Sequence, residues 1–160
     1  MTVSDARAAD VERLAARFGV EVVNVPEGAD IRGSFWGEPE AGIVGRKLFL
    51  RADTPLHSYL HELAHIVCMP DDRRRSLNTD AGGDDVEEAA VCYLQILLAD
   101  EIADVGSARI MSDMDAWGYS FRLGSTSAWF AQDADDAHAY LCRHGLIDAS
   151  GQPSWRLRCR

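Results

Sequence analysis

Tyr59-Leu60-His61-Glu62-Leu63-Ala64-His65-Ile66 places two histidines four residues apart, with a glutamate directly after the first. On a helix of 3.6 residues per turn, His61 and His65 stack one above the other and can close on a single metal ion. Zinc suits such a pair, because it takes imidazole nitrogen at roughly 2.0–2.1 Å and keeps a water position open when the protein supplies only three ligands. Glu62, turned about 100° from His61, then stands where a general base for that water belongs, which is what H-E-x-x-H on a helix implies. Leu56, Leu60, Leu63 and Val67 recur at helical spacing and give the same segment a separate apolar face, so an amphipathic helix is expected.

Outward from this helix, the chain of 160 residues, 47% of them hydrophobic, is long enough for one compact domain with a single core. Its expected division is a core over about residues 5–103 followed by a helical part over about 104–150. A net charge of −10, with Arg73-Arg74-Arg75 the only basic run, leaves phosphate-backbone binding without a driving force, so nucleic acid is not expected as a direct partner. Met1 to Arg7 carries neither a basic nor an apolar leader segment, and no run of about 18 apolar residues occurs, so a cytoplasmic protein without membrane contact is expected. Cys68, Cys92, Cys142 and Cys159 are widely spaced with no C-x-x-C, a pattern of free thiols.

Around residues 5–18, Ala9, Val11, Leu14, Ala15 and Phe18 predict a helix closed at Gly19. Val20 to Val25 is β-branched and stops at Pro26, a first strand; Ala41 to Arg51 is a second strand region. Asp53 or Thr54 is the expected N-cap of the histidine helix, with Pro55 in its first turn, and Met69-Pro70 its end. Asp71 to Asp85 reads as a polar loop, conceivable as a lid. Asp84 or Asp85 caps a second long helix, Val86 to Leu98, which is nearly all apolar after its first turn and so belongs in the interior. Further helices are expected over 107–117 and over 125–144, the latter interrupted near Asp133, with a surface tail from Ser150.

Two histidines need a third protein ligand. His57 lies eight residues before His65, roughly 12 Å along a helix axis, too far to share the ion. Cys68, His138, His144, Asp71 and Asp72 are weaker candidates. Glu87 and Glu88 open the buried helix and are better placed. Glu87 aligns with Ala90, Leu94 and Leu97 on an apolar face, where a carboxylate needs a partner such as zinc; Glu88 shares a more mixed face with Val91, Cys92 and Gln95. Glu87 is therefore the expected ligand. The oxyanion donor stays open among Tyr93, Tyr119, Arg122, Tyr140 and His144.

Over residues 43–98, with His61-Glu62-Leu63-Ala64-His65 followed by Glu87, Ala90, Tyr93, Leu97 and Leu98, the chain resembles the ImmA/IrrE-type minimal gluzincin metallopeptidases. Val91 and Ala99-Asp100 depart from that pattern. The resemblance implies an α+β, zincin-like fold: a small, mostly antiparallel sheet, an N-terminal helix, an active-site helix, a glutamate helix and additional C-terminal helices. It implies a zinc endopeptidase using His61, His65 and Glu87 as metal ligands and Glu62 as base. It also implies a protein substrate of regulatory kind, such as a transcriptional repressor. The strand around Lys47-Leu48-Phe49-Leu50 is expected at a sheet edge, where an extended substrate could pair. The competing expectation is a catalytically silent zinc-binding interaction module or toxin-like partner, against which the presence of Glu62 argues, since a structural zinc site needs no general base.

Overall fold

Apolar periodicity builds the interior from helices laid over a small sheet. The computed structural model describes residues 1–160 and has α1 (Ala8–Arg17), β1 (Glu21–Asn24), β2 (Gly42–Val44), β3 (Lys47–Leu50), α2 (Leu56–Cys68), α3 (Asp71–Ser76), α4 (Asp85–Ala99), α5 (Gly106–Trp117), α6 (Thr126–Gln132) and α7 (Asp135–Arg143). The class is α+β. One hydrophobic cluster runs from Val11 on α1 through α2 and α4 to Leu141 on α7 and Ile147 beyond it, so the C-terminal helices share the core. No helix is long and apolar enough to cross a membrane.

The sheet is mixed, where a mostly antiparallel one was expected. Its order is β1-β3-β2, with β3 parallel to β1 and antiparallel to β2. The connection from Val25 to Ala41 carries the chain past one vacant strand position before β2 returns; the tight turn at Gly45-Arg46 then drops β3 into the gap, running the same way as β1. Lys47–Leu50 is therefore the central strand and cannot be the edge on which a substrate pairs. The outer edge of β2 is also engaged: Ile43 N donates to Gly33 O (3.2 Å), Thr79 N to Ile43 O (3.0 Å) and Gly45 N to Leu77 O (2.9 Å).

The close approach of the 32–34 segment to β2 requires glycine at 42. A Cβ there would lie 2.0 Å from the carbonyl oxygen of Arg32 and 2.7 Å from the nitrogen of Ser34. Gly42→Ala is expected to lower unfolding stability by about 1–3 kcal/mol as the loop is pushed off the sheet, measurable as a reduced urea midpoint.

α2 is the most deeply set element: of its residues only His61 is more than marginally accessible. Pro55 precedes its first turn without a side-chain cap; the Thr54 hydroxyl, expected at the cap, instead accepts from Arg51 N (3.0 Å). The expected polar loop over 71–85 is only partly a loop. α3 forms directly after Pro70, and its Arg74 is buried because its guanidinium donates to the carbonyls of Ile66 (2.8 Å), Met69 (2.5 Å) and Arg158 (3.0 Å), closing the C-terminal end of α2. Arg73 pairs with Glu87 and Arg75 with Asp71, so the one basic run is spent inside the chain. The tail, expected on the surface, returns to the core: Trp155 packs on Phe18 with ring centroids 5.4 Å apart, and Arg158 N donates to Val67 O (3.0 Å). All four cysteines are unbridged, Cys68 and Cys92 buried, Cys142 and Cys159 exposed.

Candidate metal centre

His61 and His65 project from the same face of α2, and their Nε2 atoms approach to 3.1 Å. α4 packs along α2 and begins where Asp84 caps it, the carboxylate of Asp84 accepting from Glu87 N (2.9 Å). That cap sets the first turn of α4 at the histidine pair. Glu88 Oε1 lies 3.1 Å from His61 Nε2, and Glu88 Oε2 lies 3.4 Å from His65 Nε2. His61, His65 and Glu88 thus form a group able to hold a metal ion.

Glu87, the expected third ligand, is directed elsewhere. It is buried between α3, α7 and the tail, where it pairs with Arg73 and accepts from Tyr140 Oη (3.1 Å) and from Arg158 Nη1 (3.1 Å). Gly83 at φ +115° leaves room for this, since a Cβ there would come within 3.0 Å of Glu87 Oε1. The premise that a carboxylate on the inward face needs a partner holds, but two arginines and a tyrosine supply it instead of a metal. The mixed face carrying Glu88, Cys92 and Gln95 is the one that meets α2. Its sequence signal was Gln95, a fully buried amide in an otherwise apolar stretch.

Gln95 orients His61. Its amide nitrogen faces the carbonyl of His57 (3.3 Å) and must donate, which turns Oε1 towards His61 Nδ1 at 2.7 Å. Gln95 therefore holds a proton on His61 Nδ1 and leaves Nε2 as the ligating nitrogen; against the effect of burial, Tyr119, Cys92 and Glu88 raise His61 well above the ordinary imidazole value, so Nε2 carries a proton facing Glu88 that a metal would displace. Gln95→Leu is expected to weaken metal affinity about 10–100-fold, read by competition with a chromogenic chelator.

His57, excluded as a ligand by distance, has another place. It is buried, with Nδ1 3.3 Å from Tyr119 Oη and its ring against Trp117. Burial first, and then His61, pushes it down to about 4, so it is neutral. His65 is lowered to about 3, again by burial and then by His61. Burial would raise the Glu88 carboxyl, but its contact with His61 and the nearness of His65 bring it below the ordinary carboxylate value. The remaining ligand candidates lie away from the pair: His138 beside Tyr93 and Cys142, His144 against Tyr140, and Asp71 paired with Arg74 and Arg75. Among the possible oxyanion donors, Tyr119 stands at the site, its ring centroid 5.9 Å from that of His61. Arg122 is paired with Asp133, and Tyr140 with Glu87.

Glu62 opens into a cavity of about 270 Å³ bounded by His61, His65, Glu88 and the segment Thr79 to Gly83. Burial raises its carboxyl to about 7, with Glu88 and Glu40 adding to the effect against His61. A wider cleft of about 780 Å³ adjoins it at His61 and Glu88, walled by Trp36, Trp117, Tyr119 and Phe121. Neither Trp36 nor the 117–121 segment was a site candidate in the sequence, except for Tyr119; nothing local marks them, because they come from a loop and from the end of α5.

Does the donor set fit a metal? A tetrahedral zinc with bonds of about 2.0–2.1 Å places its ligand atoms about 3.3–3.4 Å from one another. The two imidazole nitrogens are 3.1 Å apart, and the two carboxylate oxygens of Glu88 lie 3.1 Å from that of His61 and 3.4 Å from that of His65. With Gln95 holding the Nδ1 proton of His61, the two imidazole Nε2 atoms and the Glu88 carboxylate face one point, where a cation would take the place of the His61 Nε2 proton that meets Glu88. The fit is good for a small divalent ion. No family model, curated protein or solved structure matches the chain.

Proposed function

We propose that this chain is a zinc-dependent peptidase in which His61, His65 and Glu88 hold the metal and Glu62 is the general base. The observation that carries the proposal is the convergence of the His61 and His65 Nε2 atoms with the Glu88 carboxylate, with Glu62 opening into the same cavity. Two imidazoles and one carboxylate favour zinc over calcium or magnesium, which prefer all-oxygen sites. Zinc bound there would act as a Lewis acid towards a peptide carbonyl and lower the pKa of a water in the cavity.

The protein's own groups supply the remainder. Glu62 accepts a proton from that water and hands it to the departing amine; a carboxyl raised towards 7 by burial holds the proton long enough to return it. Gln95 keeps His61 in the ligating tautomer. Tyr119, whose ring stands beside that of His61 and whose hydroxyl meets His57 Nδ1, is the residue to which we assign the hydrogen bond to the developing oxyanion. The substrate enters beside the aromatic cleft, since the expected docking strand β3 is central in the sheet and the outer edge of β2 is engaged by the 33 and 77–79 segments.

The resemblance to ImmA/IrrE-type peptidases supports the same reaction and extends the proposal to a regulatory protein, such as a transcriptional repressor, as the protein cut. Its E-x-x-A register falls on Glu87, so the ligand assigned here is the neighbouring glutamate. A silent zinc module would have no use for a buried base facing the cavity.

The expected result is cleavage of an unfolded protein by the purified chain, lost on chelation and restored by one equivalent of zinc. Cleavage that survives complete metal removal would exclude this mechanism.

A further inference from the structure

Two cavities meet at His61, Glu88 and Trp36: the inner one holding Glu62 and the outer cleft of about 780 Å³. The outer cleft is built of two kinds of group. Trp36 and Trp117, 76% and 50% exposed, flank its mouth, with Tyr119 and Phe121 behind. Its charged groups are carboxylates, Glu40 and Asp85 beside Glu88, and neither cavity is lined by a lysine or an arginine.

The carboxylates and rings are arranged together. Trp117 Nε1 donates to Glu40 Oε1 (3.1 Å), so the indole's electropositive edge is turned to the acid. At the outer cleft, Glu40 and Asp85 face the ligand space with no lysine or arginine among the lining residues, in a chain whose net charge is −10. Large exposed indoles around such a cleft suit a ligand with an apolar stem and a cationic end.

We propose that the outer cleft is a specificity subsite for an arginine or lysine side chain of the peptide substrate, seated beside the bond that is cut. This rests on the peptidase reading above. The stem of the basic residue lies between the indoles of Trp36 and Trp117, and its charge meets Glu40 and Asp85. A glutamate in that position meets only like charge, and a leucine covers the indoles without neutralising the acids.

Binding is measured first, independently of cleavage. Zinc-loaded Glu62→Gln protein is titrated calorimetrically with blocked peptides that differ only in a central Arg, Leu or Glu. The Arg peptide is expected to bind about tenfold more tightly than the Leu peptide and about a hundredfold more tightly than the Glu peptide. In a Glu40→Gln/Asp85→Asn background the preference for Arg over Leu is expected to fall to about twofold. Equal affinity for the three peptides, or binding of none at millimolar concentration, overturns the subsite.

Wild-type zinc protein is then given a peptide mixture and the new ends are read by mass spectrometry. Cuts enriched beside Arg or Lys support the subsite. Cuts without that enrichment overturn the subsite and leave the peptidase standing; selective binding of the Arg peptide without any cut by the wild type overturns the peptidase and leaves the subsite standing.

Discussion

Glu88→Ala is expected to lose more than about a hundredfold in zinc affinity, whereas Glu87→Ala keeps zinc and unfolds more easily. The two residues adjoin in one helical turn and differ in what surrounds them. Glu88 faces the Nε2 atoms of His61 and His65 at 3.1 and 3.4 Å, so its removal leaves only two ligands. Glu87 is the counter-ion of Arg73 and Arg158 and accepts from Tyr140. Its removal strands two guanidiniums. A fully buried pair broken on one side costs about 3–5 kcal/mol, but Arg73 and Arg158 are 29% and 19% exposed, and partial solvation reduces the expected loss to about 2–3 kcal/mol. Metal content after dialysis and a urea titration of each apo-protein separate the two effects. If Glu87→Ala empties the site at unchanged stability, the assignment of the ligand is reversed.

Glu62→Gln is expected to retain zinc and to lower cleavage about 10²–10⁴-fold. The amide keeps the volume of the carboxylate, and His61, His65 and Glu88 stay where they are, so metal binding does not depend on it. Proton transfer does: an amide cannot take a proton from water. Because the carboxyl is buried without a stabilising donor, the neutral variant is not expected to lose stability, and a urea titration beside the rate measurement distinguishes chemical loss from misfolding. An undiminished cleavage rate in a zinc-replete Glu62→Gln protein would remove Glu62 from the mechanism.

Features governed by near neighbours in the sequence were readable there. Helical spacing of Leu56, Leu60 and Leu63 together with the His61–His65 interval put the histidines on one face of α2, and the structure has them there. Asp84 capping α4 and the interruption between α6 and α7 near Asp133 follow from equally local chemistry. Glu87 is likewise buried and paired, as its place on the apolar face of α4 implies.

What the sequence could not specify was which partners. Arg73 and Arg158 stand 14 and 71 residues from Glu87 and reach it only because α3 folds against α2 and the tail returns across the core. The same applies to β3, whose central position depends on the path of the connection from β1 to β2, and to the cleft, where Trp36 meets Trp117 across more than half the chain. By itself the sequence determined a histidine pair with an adjacent glutamate on an amphipathic helix, because backbone periodicity acts over a few residues. Only the tertiary structure decided which of two adjacent glutamates completes the site, because a turn of about 100° separates them and the groups that compensate each charge come from distant segments.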